Sequence, residues 1–170
     1  FWLSVASAIA LRMTVNCPEK RETLQRDFRE IGPTVMVAPP AVWEQMLTRV
    51  QVRMQEADAF KRRRYEKAME AALEVERLTQ EGKPIPGGLA FRNWLGDWLV
   101  RKPLRDLLGM AHVRLGYTGG APLGPDAFAF IRAIGINLKQ LYGMTESSSA
   151  CVYQADGEAN TETVGRALDI

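Results

Sequence analysis

Hydrophobic residues recur at helical spacing through the middle of the chain, between Ala41 and Gly82. Apolar side chains three or four residues apart share one face of an α-helix, so this stretch predicts a long helix or a broken pair. The helical region must end near Gly82, because Pro84 and Pro86 cannot continue it. The apolar stripe consists of Trp43, Met46, Leu47, Val50, Met54, Ala57, Tyr65, Met69, Ala72 and Val75.

Shorter apolar segments flank this helical region on both sides. Runs rich in β-branched residues predict strands, and amphipathic runs between them predict helices. The predicted strands are 12–15, 34–38 (a buried strand), 113–118 and 136–141. The predicted helices are 2–10, 19–31, 91–100, 103–109 and 124–134. Strands that alternate with helices favour an α/β fold with a parallel sheet.

The composition is that of an ordinary soluble globular domain, with 46% hydrophobic and 25% charged residues in a chain of 170. A net charge of +2 indicates no strong preference for one class of partner. Cys17 and Cys151 are too few for a disulfide framework, which favours a reducing cytoplasmic location. The apolar run at 1–11 is shorter than the roughly 20 residues of a membrane span, so we expect a buried helix there.

Two clusters of special residues each follow a predicted strand. The first is Gly119-Gly120-Ala121-Pro122-Leu123, and the second is Gln140-Leu141-Tyr142-Gly143-Met144-Thr145-Glu146. The helical segment 124–134 joins them into a β-loop-α-β-loop unit. Both loops are therefore expected at the carboxyl ends of neighbouring parallel strands, where open α/β sheets bind ligands. Two such loops on one edge predict the walls of a nucleotide pocket.

The residue types in these clusters suit a nucleotide. Gly119 and Gly120 lack Cβ, so their backbone can lie flat against a planar ring and can adopt positive φ. Tyr142 offers a ring face for stacking. Thr145 supplies a hydroxyl for a phosphate, and Glu146 supplies a carboxylate of the kind that binds Mg²⁺ together with phosphate oxygens. A plain pair of βα turns is the alternative, and it requires both clusters to occur by accident.

Together the clusters resemble the nucleotide motifs of the adenylate-forming (AMP-binding) superfamily, which includes acyl-CoA synthetases, luciferases and adenylation domains. The stretch Pro39-Pro40-Ala41-Val42-Trp43-Glu44 and the charged helical insertion are similar to its long-chain fatty-acyl-CoA synthetase branch. The resemblance implies that residues 1–170 are part of the large N-terminal domain of such an enzyme. It implies parallel-sheet βαβ units, a helical insertion at about 41–109 and a nucleotide-pocket βαβ unit at about 112–146.

The resemblance also implies a role for each matching residue. Residues that would line the adenine are Gly119, Gly120, Ala121 and Pro122. Residues that would continue this wall are Gln140, Leu141, Tyr142, Gly143, Met144 and Thr145, with Tyr142 on the ring. Thr145 at the α-phosphate and Glu146 as the Mg²⁺ ligand are the catalytic candidates.

Enzymes of this branch activate a long-chain fatty acid with ATP to acyl-AMP and transfer the acyl group to CoA. The resemblance thus implies ATP, CoA, Mg²⁺ and a fatty acid as ligands, and no nucleic acid. The family's phosphate loop, ribose-binding Asp and C-terminal-domain Lys have no counterpart in the sequence. Gly82-Lys83 is followed by Pro84, where a phosphate loop requires Ser or Thr. We therefore expect an internal piece of a larger enzyme that is inactive alone.

Two other functions stay open at this point. The first is an acyl-AMP ligase, or another adenylating enzyme that does not use CoA. The second is a non-catalytic helical interaction module whose working surface is the basic helix between about Thr48 and Gln80. The run Lys61-Arg62-Arg63-Arg64 on that helix is more often a mixed solvated face. It would also suit anionic lipid in peripheral association with a membrane, a CoA phosphate or nucleic acid.

The aromatic residues Phe91, Trp94 and Trp98 form a stripe on the predicted helix 91–100. Large aromatic side chains at helical spacing mostly pack in the core, which is the expected role here. The alternative, which the resemblance suggests, is that they line a tunnel for the acyl chain.

Overall fold

The structure is a computed structural model that describes residues 7–17, 19–20, 22–144, 146, 149–158 and 162–167. Its helices are α1 (Ser7–Leu11), α2 (Leu24–Ile31), α3 (Pro40–Glu56), α4 (Ala59–Gln80), α5 (Gly87–Gly96), α6 (Lys102–Leu107) and α7 (Pro125–Ala133), with a π-helical turn at Asp97–Arg101. Its strands are β1 (Val35–Ala38), β2 (Leu115–Thr118), β3 (Asn137–Met144), β4 (Ser149–Tyr153) and β5 (Arg166–Ala167). The predicted α/β class is confirmed.

The five strands form one sheet in the order β1-β2-β3-β4-β5. The first three strands are parallel, and Thr118 in β2 lies opposite Ala38 of β1 and Gln140 of β3. The last two strands are antiparallel to their neighbours. Because α7 connects β2 to β3 and the helical insertion connects β1 to β2, the parallel part consists of βαβ units, as the sequence predicts.

Strand β3 changes its partner along its length. Residues 137–140 pair with β2, whereas residues 141–144 pair with β4. Tyr142 and Met144, which were expected in a loop, are therefore strand residues. The cause is β4, which starts at Ser149, runs back along β3 and supplies hydrogen-bond partners. Residues 147–148, which precede β4, lie outside the described residues.

The hydrophobic core lies between the parallel strands and the helices α3 and α7. Trp43 of α3 is fully buried, and its indole N–H donates to the carbonyl oxygen of Ala38 at 3.1 Å. Gly116 of β2 makes room for it, because a Cβ there would lie 3.1 Å from the tip of the indole. On the opposite face of the sheet Val35 and Val37 are exposed. The prediction that this strand is buried is therefore wrong for one of its two faces.

Two predictions for the first third of the chain also need correction. Residues 12–15 form no strand; they follow α1 through a turn in which Arg12 has a φ of +53°. An apolar alternation this short gains little without a neighbouring strand. Helix α2 begins at Leu24, later than expected. Before it, the chain is held in a non-helical course because the hydroxyl of Thr23 and the backbone N–H of Glu19 donate to the Asp27 carboxylate at 2.8 and 3.1 Å. The first predicted helix is described only from Ser7, and Ile9 within it is 77% exposed, so the expectation of a buried helix is wrong there; residues 2–6 lie outside the described residues.

The long helical region is a broken pair, one of the two predicted alternatives. Helices α3 and α4 meet at Asp58, whose side chain caps α4 by accepting from the backbone N–H of Lys61 at 2.8 Å. Arg62 donates to the carbonyl oxygens of Gln55 and Ala57 at 3.2 and 3.1 Å. The backbone of Lys61 and the side chain of Arg62 thus stabilise the junction between these helices.

The aromatic stripe on α5 is not in the core. Phe91, Trp94 and Trp98 are 61, 61 and 60% exposed, so the expectation of core packing is wrong. Helix α5 faces the protein with a different side, where a Cβ at Gly96 would lie only 3.1 Å from Cβ of Ala68 in α4. This close helix-helix contact turns the aromatic side chains outward.

Replacing Trp43 by Ala should lower the free energy of unfolding by about 3–5 kcal/mol, because a fully buried aromatic side chain and its hydrogen bond are lost. The matched control is Val52→Ala on the same helix, where the side chain is 47% exposed and the expected change is within about 0.5 kcal/mol. Urea denaturation of the full-length protein measures both. Equal effects of the two substitutions would contradict this description of the core.

Candidate nucleotide site

The two clusters lie side by side at one edge of the sheet. Thr118 and Gln140 are paired residues at the point where the parallel strands end, and each cluster begins there. Gly119 packs directly on Leu141, the second residue of the other cluster. The expectation that both clusters meet at the carboxyl ends of neighbouring strands is therefore confirmed.

Gly119 has room for no side chain. An added Cβ would lie 2.5 Å from Cδ1 and 2.9 Å from the carbonyl oxygen of Leu141. Distances below 3.0 Å require the neighbour to move, and here one neighbour is the backbone of β3. A glycine at this position therefore lets the first cluster approach the second.

The backbone of residues 119–122 is open to solvent on one side, and we call this stretch the glycine shelf. Gly120 has a φ of +89°, which favours glycine, and a Cβ there would meet nothing within 4 Å. Ala121 and Pro122 are exposed, whereas Leu123 is buried and holds the shelf to the core. Backbone of this kind is accessible to a flat ligand.

Tyr142 follows Leu141, the residue on which Gly119 packs, and its side chain is 47% exposed. It lies in β3 two residues before Met144, which is also exposed, so the two side chains are on one face of the strand. The pairing register between β3 and β4 shifts between Tyr142 and Gly143. The thiol of Cys151 donates to the carbonyl oxygen of Tyr142 at 3.6 Å at this irregularity. The ring is therefore on a supported strand end and open to stacking.

The two catalytic candidates follow β3. Glu146 is exposed, and Thr145 lies outside the described residues. Within the part of the chain that the structure describes, no group of three or more His, Cys, Asp or Glu side chains could hold a metal ion. A single carboxylate is nevertheless a common protein contribution to Mg²⁺ that is also bound by phosphate oxygens. Glu146 therefore remains a predicted ligand.

The family model for AMP-binding enzymes matches residues 1–169. The chain belongs to the AMP-binding enzyme family. The predicted family and the predicted α/β fold class are thereby confirmed, whereas the division of the chain into a helical insertion and a nucleotide-pocket unit stays a prediction. The assignment of individual residues to the adenine, the α-phosphate and Mg²⁺ stays a prediction.

Curated relatives of this AMP-binding chain are fatty-acid–CoA ligases. The long-chain-fatty-acid–CoA ligase heimdall of Drosophila melanogaster is 32% identical over 149 residues, which cover 86% of this chain and 21% of the relative. The putative fatty-acid–CoA ligase fadD11 of Mycobacterium tuberculosis is 29% identical over 147 residues, covering 86% and 26%. The chain thus spans about a quarter or less of the length of these relatives. No solved structure gave a significant match.

Gln154 is a residue of the site region that the sequence reading missed. Its side chain is 0% exposed, its Oε1 accepts from the backbone N–H of Gln140 at 2.7 Å, and its Nε2 donates to the carbonyl oxygen of Thr163 at 2.7 Å. These bonds tie β3 to the loop before Gly165, where a Cβ would lie 2.0 Å from the carbonyl oxygen of Tyr153. A lone glutamine carries no motif, so only the pairing of β4 reveals its role.

A second buried polar group lies next to Gln140. Lys139 is buried, and its Nζ lies 2.8 Å from the carboxylate of Asp156, which also accepts from the side chain of Asn137 at 2.9 Å. The hydrogen bond from Lys139 and then that from Asn137 hold the pKa of Asp156 below its ordinary value. Like Gln154, this pair fixes the chain after β4 against β3.

Replacing Gln154 by Leu should lower the free energy of unfolding by about 1–3 kcal/mol. The buried hydrogen bond from the Gln140 N–H is lost at about that cost, whereas Thr163 is exposed and its carbonyl oxygen can bond to water instead. Gln51→Leu, on an exposed position of α3, is the matched control and should change little. Thermal and urea unfolding of the full-length protein compare them; unchanged stability of the Gln154 variant would contradict the described role.

Proposed function

We propose that this chain forms one wall of the nucleotide site in an ATP-dependent fatty-acid–CoA ligase. The observation that carries the proposal is the contact of the Gly119 turn with Leu141, the residue that precedes the half-exposed Tyr142 in β3. A side-chain-free backbone shelf next to an accessible aromatic ring fits a purine, since one surface is flat and the other can stack. The fatty-acid–CoA ligases among the relatives support the substrate class.

The proposed reaction has two steps. An oxygen of the fatty carboxylate attacks the α-phosphorus of ATP, which gives acyl-AMP and releases pyrophosphate. The thiol of CoA then attacks the acyl carbonyl, forms the thioester and releases AMP. In the first step the protein contributes mainly position and charge stabilisation, because the reacting groups belong to the substrates.

In this proposal each part of the edge has one task. Gly119, Gly120, Ala121 and Pro122 line the adenine, and Gln140, Leu141, Tyr142, Gly143 and Met144 continue that wall. Thr145 donates its hydroxyl to the α-phosphate. Glu146 holds Mg²⁺, which when bound neutralises phosphate charge. Long acyl chains are the proposed substrates, in line with the name of the heimdall relative, a long-chain-fatty-acid–CoA ligase.

An adenylating enzyme without CoA remains the nearest competitor. Both enzymes make acyl-AMP, so formation of the adenylate does not separate them. Consumption of preformed acyl-AMP by the full-length protein should depend on CoA and should yield the thioester. The interaction-module alternative is disfavoured, because the Lys61 ammonium lies 3.2 Å from the Asp58 carboxylate and the Arg62 guanidinium donates to the carbonyl oxygens of Gln55 and Ala57.

We further propose a cytoplasmic location with peripheral association at a membrane. Among the described helices, none is long and apolar enough to cross a bilayer. Fatty substrates partition into lipid, so an enzyme at the membrane surface would meet them there.

Replacing Glu146 by Gln in the full-length protein should reduce acyl-AMP formation by about 10²–10⁴-fold, because charge stabilisation at phosphate is worth several kcal/mol. The fold should be unaffected, since the side chain is exposed. Glu56→Gln, at an exposed carboxylate of α3, is the matched control. Pyrophosphate release with saturating ATP is the measurement, and turnover at the wild-type rate in the Glu146 variant would refute its role.

Replacing Tyr142 by Ala should raise the dissociation constant for AMP by about 5–100-fold, as expected for loss of one base–aromatic stacking contact. Tyr142→Phe keeps the ring and should bind within about threefold of wild type. Calorimetric titration of AMP into the full-length variants makes the comparison. Equal weakening by both substitutions would point to the hydroxyl and not to stacking.

A further inference from the structure

One side of the helical insertion is apolar and open to solvent. We call it the aromatic face, and it comprises Phe91, Trp94, Leu95, Trp98 and Leu99, all of which are exposed. The rings of Phe91 and Trp94 stack with centroids 5.9 Å apart. Side chains three or four residues apart on a helix lie on the same side, so these residues form one continuous surface. Contiguous exposed apolar surface marks a site of interaction.

The opposite side of the same segment is fixed to the protein. Arg101 is buried and donates to the carbonyl oxygens of Ala133 and Asn93 at 2.9 and 2.6 Å. Arg105 donates to the carbonyl oxygen of Ile134. Because Ala133 and Ile134 are at the carboxyl end of α7, where cations are favourable, two arginines anchor the segment there. The aromatic face is therefore held outward on a rigid support.

The charges of this segment are sorted by direction. Arg92 and Lys102 are exposed at the two ends of the aromatic face. The acidic residue between them, Asp97, points inward and pairs with Arg105 at 2.8 Å and Arg101 at 3.5 Å. Arg92 reaches the exposed Glu70 only at 4.0 Å, a distance at which a surface pair contributes little. The outward surface is therefore apolar with a cationic border.

Helix α4 runs beside this segment. Gly96 lies against Ala68, and Arg92 lies near Glu70, so α4 runs antiparallel to α5. The start of α4, which carries the basic run and the exposed Glu66, is therefore towards the Lys102 end of the aromatic face. The cations that border the aromatic face itself are Arg92 and Lys102.

We propose that the aromatic face docks this protein on the surface of an anionic lipid membrane. Tryptophan and phenylalanine beside leucine suit the boundary between headgroups and acyl chains, and bordering Arg and Lys suit anionic headgroups. The sorted charges favour lipid over a protein partner, because the surface offers cations and apolar groups while its acid is turned away. The inference extends the proposed peripheral location and is independent of the ligase chemistry.

Cosedimentation of the full-length protein with lipid vesicles, without ATP or CoA, tests the proposal. Wild type should bind vesicles of phosphatidylcholine with phosphatidylglycerol more tightly than vesicles of phosphatidylcholine alone. Trp94→Gln/Trp98→Gln should weaken binding to anionic vesicles by about tenfold or more. Lys102→Gln should weaken it by about fivefold, on anionic vesicles only. Val52→Gln, an exposed apolar residue of another helix, is the matched control and should bind as wild type.

Three results would overturn the proposal. The first is a failure of the vesicle assay: either wild type does not bind, or Trp94→Gln/Trp98→Gln binds as tightly as wild type.

The second is a lipid-free oligomer or protein complex that the same variant abolishes. The third is equal quenching by iodide in wild type and Trp94→Phe/Trp98→Phe, which would mean that the face is covered in the full-length protein. Loss of acyl-AMP formation in Glu146→Gln with vesicle binding intact would leave the docking face supported, so the two proposals fail separately.

Discussion

The bond from the backbone N–H of Gln140 to the side chain of Gln154 is the interaction on which the nucleotide edge depends. Strand β3 leaves β2 at this residue and joins β4 at the next, so its backbone needs a partner where neither ladder is regular. The side-chain Oε1 of Gln154, the residue after β4, supplies it, and the backbone N–H of Gln154 returns a bond to the carbonyl oxygen of Gln140 at 3.1 Å. The side-chain amide of Gln154 both accepts and donates, so its Nε2 also bonds to the carbonyl oxygen of Thr163. One buried side chain thereby joins β3 to the loop before Gly165.

The change of partner decides what the edge presents. Because β4 continues the pairing beyond Gln140, the chain through Tyr142 and Met144 stays extended and offers alternate side chains to solvent. Gly119 can then lie against Leu141 only because it has no side chain. The accessible backbone at Gly119 and the exposed ring of Tyr142 therefore have one origin. Strand β3 extends beyond the end of its parallel neighbour β2, and the turn at Gly119 has no side chain to keep it away from β3.

A feature of the fold or of the site can be predicted from the sequence when the residues that cause it lie close together along the chain. The helices around Trp43, the parallel strands and the meeting of the two clusters follow from periodicity and from the topology of βαβ units. The extension of β3 does not, because it depends on β4, whose serine-rich start has no strand pattern. The outward position of Trp94 also escapes sequence reasoning, since a helical stripe has the same pattern whether it faces the core or solvent. Arg101 and Gly96 decide that orientation, and neither forms part of the stripe.

The helix α7 links the two surfaces of the molecule. Its first residues follow the glycine shelf, and its last carbonyl oxygens accept from Arg101 and Arg105 beneath the aromatic face. A helix of this length is stiff, so α7 fixes the orientation of the nucleotide edge relative to the aromatic face. Docking through that face would thus orient the nucleotide edge relative to the lipid surface, which an unstructured basic tail would not do. The same arginines that expose the tryptophans therefore also connect them to the site.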